Sequence, residues 1–271
     1  MLLDNILGWL VQNASIVNLV VALAIFGVGA AIFVAKPEFL SDRHPGNHDA
    51  LLFWLFQWGT FLFIYGFLSF WPDLPLLLLL CLVDLQSVFG VGFFVAYLHG
   101  DAYKPGPVWR KLFLFGFVWA ALDLCLGLLA ANQPSGSFWR QFWVAPSELL
   151  SATSLVMVGG VFVLRLGKIA WPMLVATAFY GVLQRPVYAS LFIDRQPEPR
   201  LILALVAGKL IMGWLFYVYF LAPIGEYPAR PLPPIKPAVV AHIKRWLKRT
   251  AYFLGLAGFI LEELIRRVLF P

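Results

Sequence analysis

The chain has 271 residues, of which 61% are hydrophobic and only 13% charged, against roughly 45–50% and about 25% in soluble domains. A soluble fold of this size must cover its surface with polar groups, and this chain has too few, so lipid is the expected solvent. The formal charge of +6 is crowded toward the C-terminus, which fits membrane topology and anionic lipid rather than nucleic acid, for which no base-reading fold is in sight.

Residues 1–12 carry Asp4 and no basic leader, and Leu2, Ile6, Trp9 and Leu10 share one helical face, a pattern expected of a short amphipathic lead-in. About 20 apolar residues cross a hydrocarbon core near 30 Å thick. Seven segments meet or approach that length: 16–35, 51–70, 75–98, 112–131, 149–166, 169–193 and 201–221. The fifth is the shortest, and only Gly167 and Lys168 separate it from the sixth, so a tight helical hairpin is required there. The intervening stretches, among them 36–49 with Pro45-Gly46, 99–111 with Pro105 and Pro107, and 132–148, read as turn-rich connectors.

The connectors after spans one, three and five carry Lys36 and Arg43, then Lys104, Arg110 and Lys111, then Arg165 and Lys168. The opposite connectors hold no base, then Arg140, then Arg195 and Arg200, so the positive-inside rule places the N-terminus outside and the C-terminus in the cytoplasm, with a bacterial inner membrane as the expected location. The expected fold is therefore all-α: a polytopic transmembrane helix bundle of about seven spans over 1–222, a Pro-rich linker over 223–237, and a basic amphipathic cytoplasmic-side helix over 238–271. In that last segment Val239, Ile243, Trp246, Leu247 and Thr250 share one face, and Lys244, Arg245, Lys248 and Arg249 lie on the other. The four bases suit anionic headgroups, although the segment could equally brace the cytoplasmic end of the bundle. The stretch 251–261 is too short to span alone.

Ionisable groups inside spans need a partner or a purpose. Four stand out: Asp84, Asp123, Arg185 and Lys209. Counted at 1.5 Å per residue from the outer ends of their spans, all four fall roughly 12 to 14 Å deep, near the midplane. Two acids and two bases at one depth can neutralise each other, and Gln86, Gln184, Tyr180 and Tyr188 add hydrogen-bonding groups around them. Pro186 directly follows Arg185 and frees a backbone carbonyl one turn earlier. These eight residues form the expected ligand or ion pathway. A small solute or ion bound, sensed or transported there is the favoured function, with a membrane-embedded enzyme or effector acting on lipid and a non-catalytic subunit or assembly factor as alternatives. A homo-oligomer or a larger membrane complex is compatible with each.

An acid in the third span and a lysine in the last, Asp84 and Lys209, resemble the microbial rhodopsins. That resemblance implies a retinal Schiff base on Lys209 with Asp84 as counter-ion. The sequence departs from the family at Leu205, where a second acid is expected, and in carrying Arg185, so Lys209 is read as an ion-pair partner instead. The string Glu262, Glu263, Leu264, Ile265, Arg266, Arg267 resembles the EExxxR element of the CAAX-type intramembrane proteases, but only four residues follow it, and i,i+4 charge pairing accounts for it. No motif names a cofactor. His44 and His48 fall outside the spans, with Pro45 and Gly46 between them expected to form a turn rather than a metal-binding helix.

Overall fold

The computed structural model describes residues 9, 13–35, 45–70, 76–99, 103–134, 137–193, 199–221, 241, 245 and 249. Among them the chain forms seven α-helices and no strand: α1 Ala14–Ala35, α2 Pro45–Phe70, α3 Leu76–His99, α4 Pro105–Ala131, α5 Phe138–Leu166, α6 Trp171–Ile193 and α7 Pro199–Phe216. A 3-10 turn over Gly167–Ala170 joins α5 to α6, and a π-helical turn over Tyr217–Leu221 extends α7. Four segments are long and apolar enough to cross a membrane: Ser15–Ala35, Leu78–His99, Pro105–Ala131, and the continuous Phe138–Leu183 stretch containing α5, the turn and the start of α6. Length and composition thus support membrane-crossing helices without establishing seven spans. Neither α2, which buries Asn47, His48, Asp49, Gln57 and Thr60, nor α7 is among the four.

Several helices begin earlier than hydropathy alone suggests, for a local reason. Prolines 45, 105 and 199 open α2, α4 and α7, because the first helical position has no use for an amide hydrogen and favours the fixed φ of proline. The expected turn at Pro45-Gly46 is therefore the first turn of a helix, and it carries His48 and Asp49 inward. The connector expected over 132–148 likewise ends in helix from Phe138 onward, where Ser137 accepts a hydrogen bond from the Arg140 amide at 3.2 Å and caps the N-terminus. Pro146 lies within α5 without ending it. The tight hairpin after α5 forms as expected: Gly167 takes φ 74°, a left-handed value open to glycine, and reverses the chain in four residues.

Helices α3 and α5 pack together at the centre. Helices α2 and α4 flank α3, with α1 outside α2, while α6 lies on α5 and carries α7. The outer faces are apolar, with Leu23, Phe113, Phe117, Ile169, Phe179 and Leu210 all more than half exposed, an arrangement that costs dearly in water and nothing in lipid. At the Arg165 end of the bundle an aromatic block fills the interior. Trp54 stacks on Phe216 at 4.2 Å between centroids, Phe216 on Phe220 at 4.7 Å, and Phe93 on Phe162 at 5.6 Å. Such offset ring packing adds to the stabilisation from area burial.

The expected linker over 223–237 and Lys244 and Lys248 of the basic segment lie outside the described residues, as do residues 1–8. Arg245 and Arg249 are helical and exposed.

Candidate functional site

Asp84 and Asp123 meet at the centre of the bundle. Asp84 is carried by α3 and Asp123 by α4, both almost fully buried, and the two carboxyls are close enough to interact as one pair. Trp119 sits one turn before Asp123 on α4 and brings its indole beside Asp84. Ser147, from α5, donates a hydrogen bond to Asp123 Oδ2. Neither oxygen of Asp84 reaches a partner of ordinary hydrogen-bond geometry among the described residues, nor does Asp123 Oδ1. Two carboxylates side by side and away from water repel each other when both are charged, so two negative charges on the pair are strongly disfavoured.

This pair lies at one end of a groove between α2, α3 and α4 with a volume of about 590 Å³, within the range of small-ligand sites. Its walls follow helical spacing. Cys81, Asp84, Leu85, Val88 and Phe89 line it from α3, and Trp109, Leu112, Phe113, Gly116, Phe117 and Ala120 from α4. Along α4 the groove runs from Trp109 to Ala120, about 16 Å at the helical rise. The same face of α4 continues three residues further to Asp123. Phe113 and Phe117 are 69% and 75% exposed, so the groove opens sideways, on the apolar flank of the bundle. Among the described residues that line it, Asp84 is the only carboxylate.

Lys209 occupies a different compartment. Its Nζ lies 4.2 Å from the Phe61 ring centre and 4.9 Å from that of Tyr180, with the rings edge to face 5.6 Å apart. The amine of α7 is thus boxed by α2 and α6, and no carboxylate of the described residues lies within ion-pair distance of it. Ring faces attract a cation without supplying a counter-charge, which is how this lysine stays buried. The equal depths counted along the sequence therefore resolve into an acid pair on one side of α3 and a lysine box between α2, α6 and α7. Gln86 is fully buried on α3. Gln184, Arg185 and Tyr188 belong to α6, and their side chains lie outside those described.

Sequence reasoning missed a second polar centre, at the Trp109 end of the groove. Asp49 Oδ2 accepts hydrogen bonds from Tyr103 Oη at 2.6 Å and Trp109 Nε1 at 3.0 Å. His48 places Nδ1 3.1 Å from Asp49 Oδ1 and Nε2 3.3 Å from the Ile32 carbonyl. Asp49 and His48 together thereby tie α1, α2 and α4 and the segment before α4. Burial, followed by the hydrogen bond to Asp49 and its charge, pushes the Tyr103 phenol far above its ordinary value, so it stays a proton donor. The signal the sequence offers is the acid itself, two residues before the apolar run that starts at Leu51. Nearby, Arg165 donates from Nε to the Tyr97 carbonyl at 2.8 Å and from Nη2 to the Leu98 carbonyl at 2.6 Å, closing the C-terminal end of α3.

No protein family, curated protein or solved structure matches this chain, so the residues and their geometry carry the functional reading alone.

Proposed function

We propose that this chain is a seven-span integral membrane protein that binds an amphiphile dissolved in the bilayer, with the Asp84–Asp123 pair recognising the amphiphile's polar head. The observation that carries this is the position of Asp84 at the end of a groove that is otherwise apolar and opens sideways between α2, α3 and α4. An aqueous solute would have to cross Phe113 and Phe117 to reach it, whereas a lipid-like molecule lies against them already. A buried acid pair with unfilled acceptor positions suits a head that is cationic or rich in hydrogen-bond donors, an ammonium above all, and disfavours a carboxylate. Binding of this kind serves sensing, transport or chemistry on the amphiphile.

The bias of Lys and Arg among the connectors supports an outside N-terminus and a cytoplasmic C-terminus in a bacterial inner membrane. The four bases 244, 245, 248 and 249 support contact of the tail with anionic headgroups on that side.

The test uses the purified chain in detergent or nanodiscs, titrated in turn with dodecylammonium, dodecanol and dodecanoate while melting is followed. At about a hundredfold excess over Kd, dodecylammonium is expected to raise the melting temperature by about 5–10 °C, and Asp84→Asn to remove that rise. Equal effects of all three chains, or an undiminished rise in Asp84→Asn, refutes recognition by the acid pair.

A further inference from the structure

Helix α1 packs on α2 through close approaches of rings and backbone. A Cβ on Gly29 of α1 would lie 3.1 Å from the Phe56 ring, and one on Gly59 of α2 would lie 2.7 Å from the Phe26 ring. Gly66 of α2 rests against the backbone of Ser15 and Leu19. The rest of α1 faces outward, with Val20, Leu23, Val28, Phe33 and Val34 all more than half exposed. In lipid such a helix gains little from apolar contact, because acyl chains offer the same, so a single polar tie has leverage over its docking. Among the described residues that tie is His48, whose Nε2 lies 3.3 Å from the Ile32 carbonyl in the last turn of α1.

Both ring nitrogens of His48 face acceptors. Nε2 meets the Ile32 carbonyl, and Nδ1 lies 3.1 Å from Oδ1 of Asp49, whose Oδ2 already accepts from Tyr103 and Trp109. A carbonyl has no hydrogen to give, so Nε2 must carry one to bond it. A second proton between Nδ1 and Oδ1 joins ring and carboxyl whichever of the two atoms it sits on. A neutral imidazole beside a bare carboxylate has one proton for these two contacts and leaves a nitrogen lone pair against an oxygen. One proton taken up from water therefore completes both, and the C-terminal end of a helix favours the positive charge it brings. Protons have a way in, since the side chains of His48 and Asp49 each keep 11% exposure and stand before the apolar run of α2 rather than within it. Of the other titratable groups at this end, Tyr103 faces Asp49 from the segment before α4. Helix α1 has no ionisable residue, and His99 of α3 and Lys104, Arg110 and Lys111 are exposed.

We propose that His48 and Asp49 form a proton-binding site that latches α1 onto α2 and, through α1, sets the α2 wall of the groove. Imidazole is the side chain suited to gaining and losing a proton between about pH 5 and 8. The docked helix holds one proton more than the undocked one, so docking strengthens as pH falls and weakens as pH rises. The step to the groove is one of contact. Phe56 lines the groove, and it is the ring against which Gly29 and Phe26 of α1 pack, with the Phe26 and Phe56 centroids 6.3 Å apart. The latch stands without any ligand; its effect on binding rests on the amphiphile reading above.

The experiment follows undocking by the reaction of a buried thiol in the full chain in nanodiscs, with Cys81 and Cys125 replaced by alanine. Ala22→Cys places a thiol where α1 is 0% exposed, and Val34→Cys places one on the same helix where it is 80% exposed. The ratio of their rates with N-ethylmaleimide cancels the pH dependence of the thiol itself and reports the undocked population, however small. From about pH 5.5 to about pH 8 the ratio is expected to rise about tenfold, the effect of one lost charge-assisted hydrogen bond, and to stay level in His48→Gln, which keeps a donor but does not titrate. A level ratio in the parent, or an undiminished rise in His48→Gln, overturns the latch. If His48→Gln does not fold, Asp49→Asn decides the question: it removes the carboxylate that shares the proton, and an undiminished rise there overturns the latch equally. Dodecylammonium is then titrated at both pH values into the chain with its native cysteines, and the change in Kd between them is expected to shrink in His48→Gln, what remains belonging to the acid pair. An equal change in both proteins while the thiol ratio moves refutes the coupling through Phe56 and leaves the latch. Absence of dodecylammonium binding at either pH refutes the amphiphile reading, and the thiol ratio still decides the latch.

Discussion

Replacing Asp49 by alanine should be among the most damaging single changes at the His48 end of the bundle, and the structure sets its size. The carboxylate receives two hydrogen bonds, from Tyr103 at 2.6 Å and Trp109 at 3.0 Å, and has His48 at 3.1 Å. Hydrogen bonds to a charged acceptor contribute about 1.5–3 kcal/mol each, so two are worth about 3–6 kcal/mol. Relief from burying the charge offsets part of this, and a net loss of about 3 kcal/mol remains, in line with breaking a buried polar pair from one side. For a chain of this length the melting temperature should fall by about 6–12 °C. Asp49→Asn keeps one acceptor oxygen and should lose about half as much. Tyr103→Phe should cost about 2 kcal/mol in the parent and almost nothing once Asp49 is alanine, a coupling that a double-mutant cycle reads directly. Tryptophan fluorescence during thermal unfolding is a suitable assay, since Trp109 reports from within the network. The phenol adds a pH arm. Because its folded value is raised, Tyr103 keeps its proton in the native state after the unfolded chain begins to lose it near pH 10. Its contribution is fully present below that pH and declines above it, so alkaline destabilisation should be weaker in Tyr103→Phe. Additive losses from Asp49→Ala and Tyr103→Phe, or an Asp49→Ala protein as stable as the parent, would refute the role given to the Asp49 hydrogen bonds.

Two further outcomes follow from the same geometry. Arg165→Ala should cost about 2–3 kcal/mol in thermal or denaturant unfolding, because two carbonyls at the end of α3 lose a charged donor; Arg165→Lys should recover less than half, since an ammonium cannot reproduce the fork to Tyr97 and Leu98, and full recovery would show that charge alone suffices. Asp84→Asn and Lys209→Met should be additive within about 0.5 kcal/mol, because the lysine sits against Phe61 and Tyr180 and the acid against Asp123; rescue of one change by the other would instead restore mutual neutralisation.

Composition and hydropathy were enough to establish that this chain is helical, that it carries helices able to cross a bilayer, and that Gly167 reverses the chain between α5 and α6. These are local properties: a run of apolar residues forms a helix in lipid wherever it sits, and a left-handed glycine turns the chain whatever surrounds it. The sequence also picked out Asp84, Asp123 and Lys209, since a charge within an apolar run is visible without coordinates. What it could not do was pair them. Depth along a span gives the height of a side chain but not the direction in which it points, and that direction depends on how α3, α4 and α5 are rotated against one another. Only the packed bundle turns Asp84 toward Asp123 and the groove while Lys209 faces Phe61 and Tyr180. Asp49 escaped notice because it stands where a helix begins, and its hydrogen-bond partners lie 54 and 60 residues away, a relation that tertiary structure alone creates.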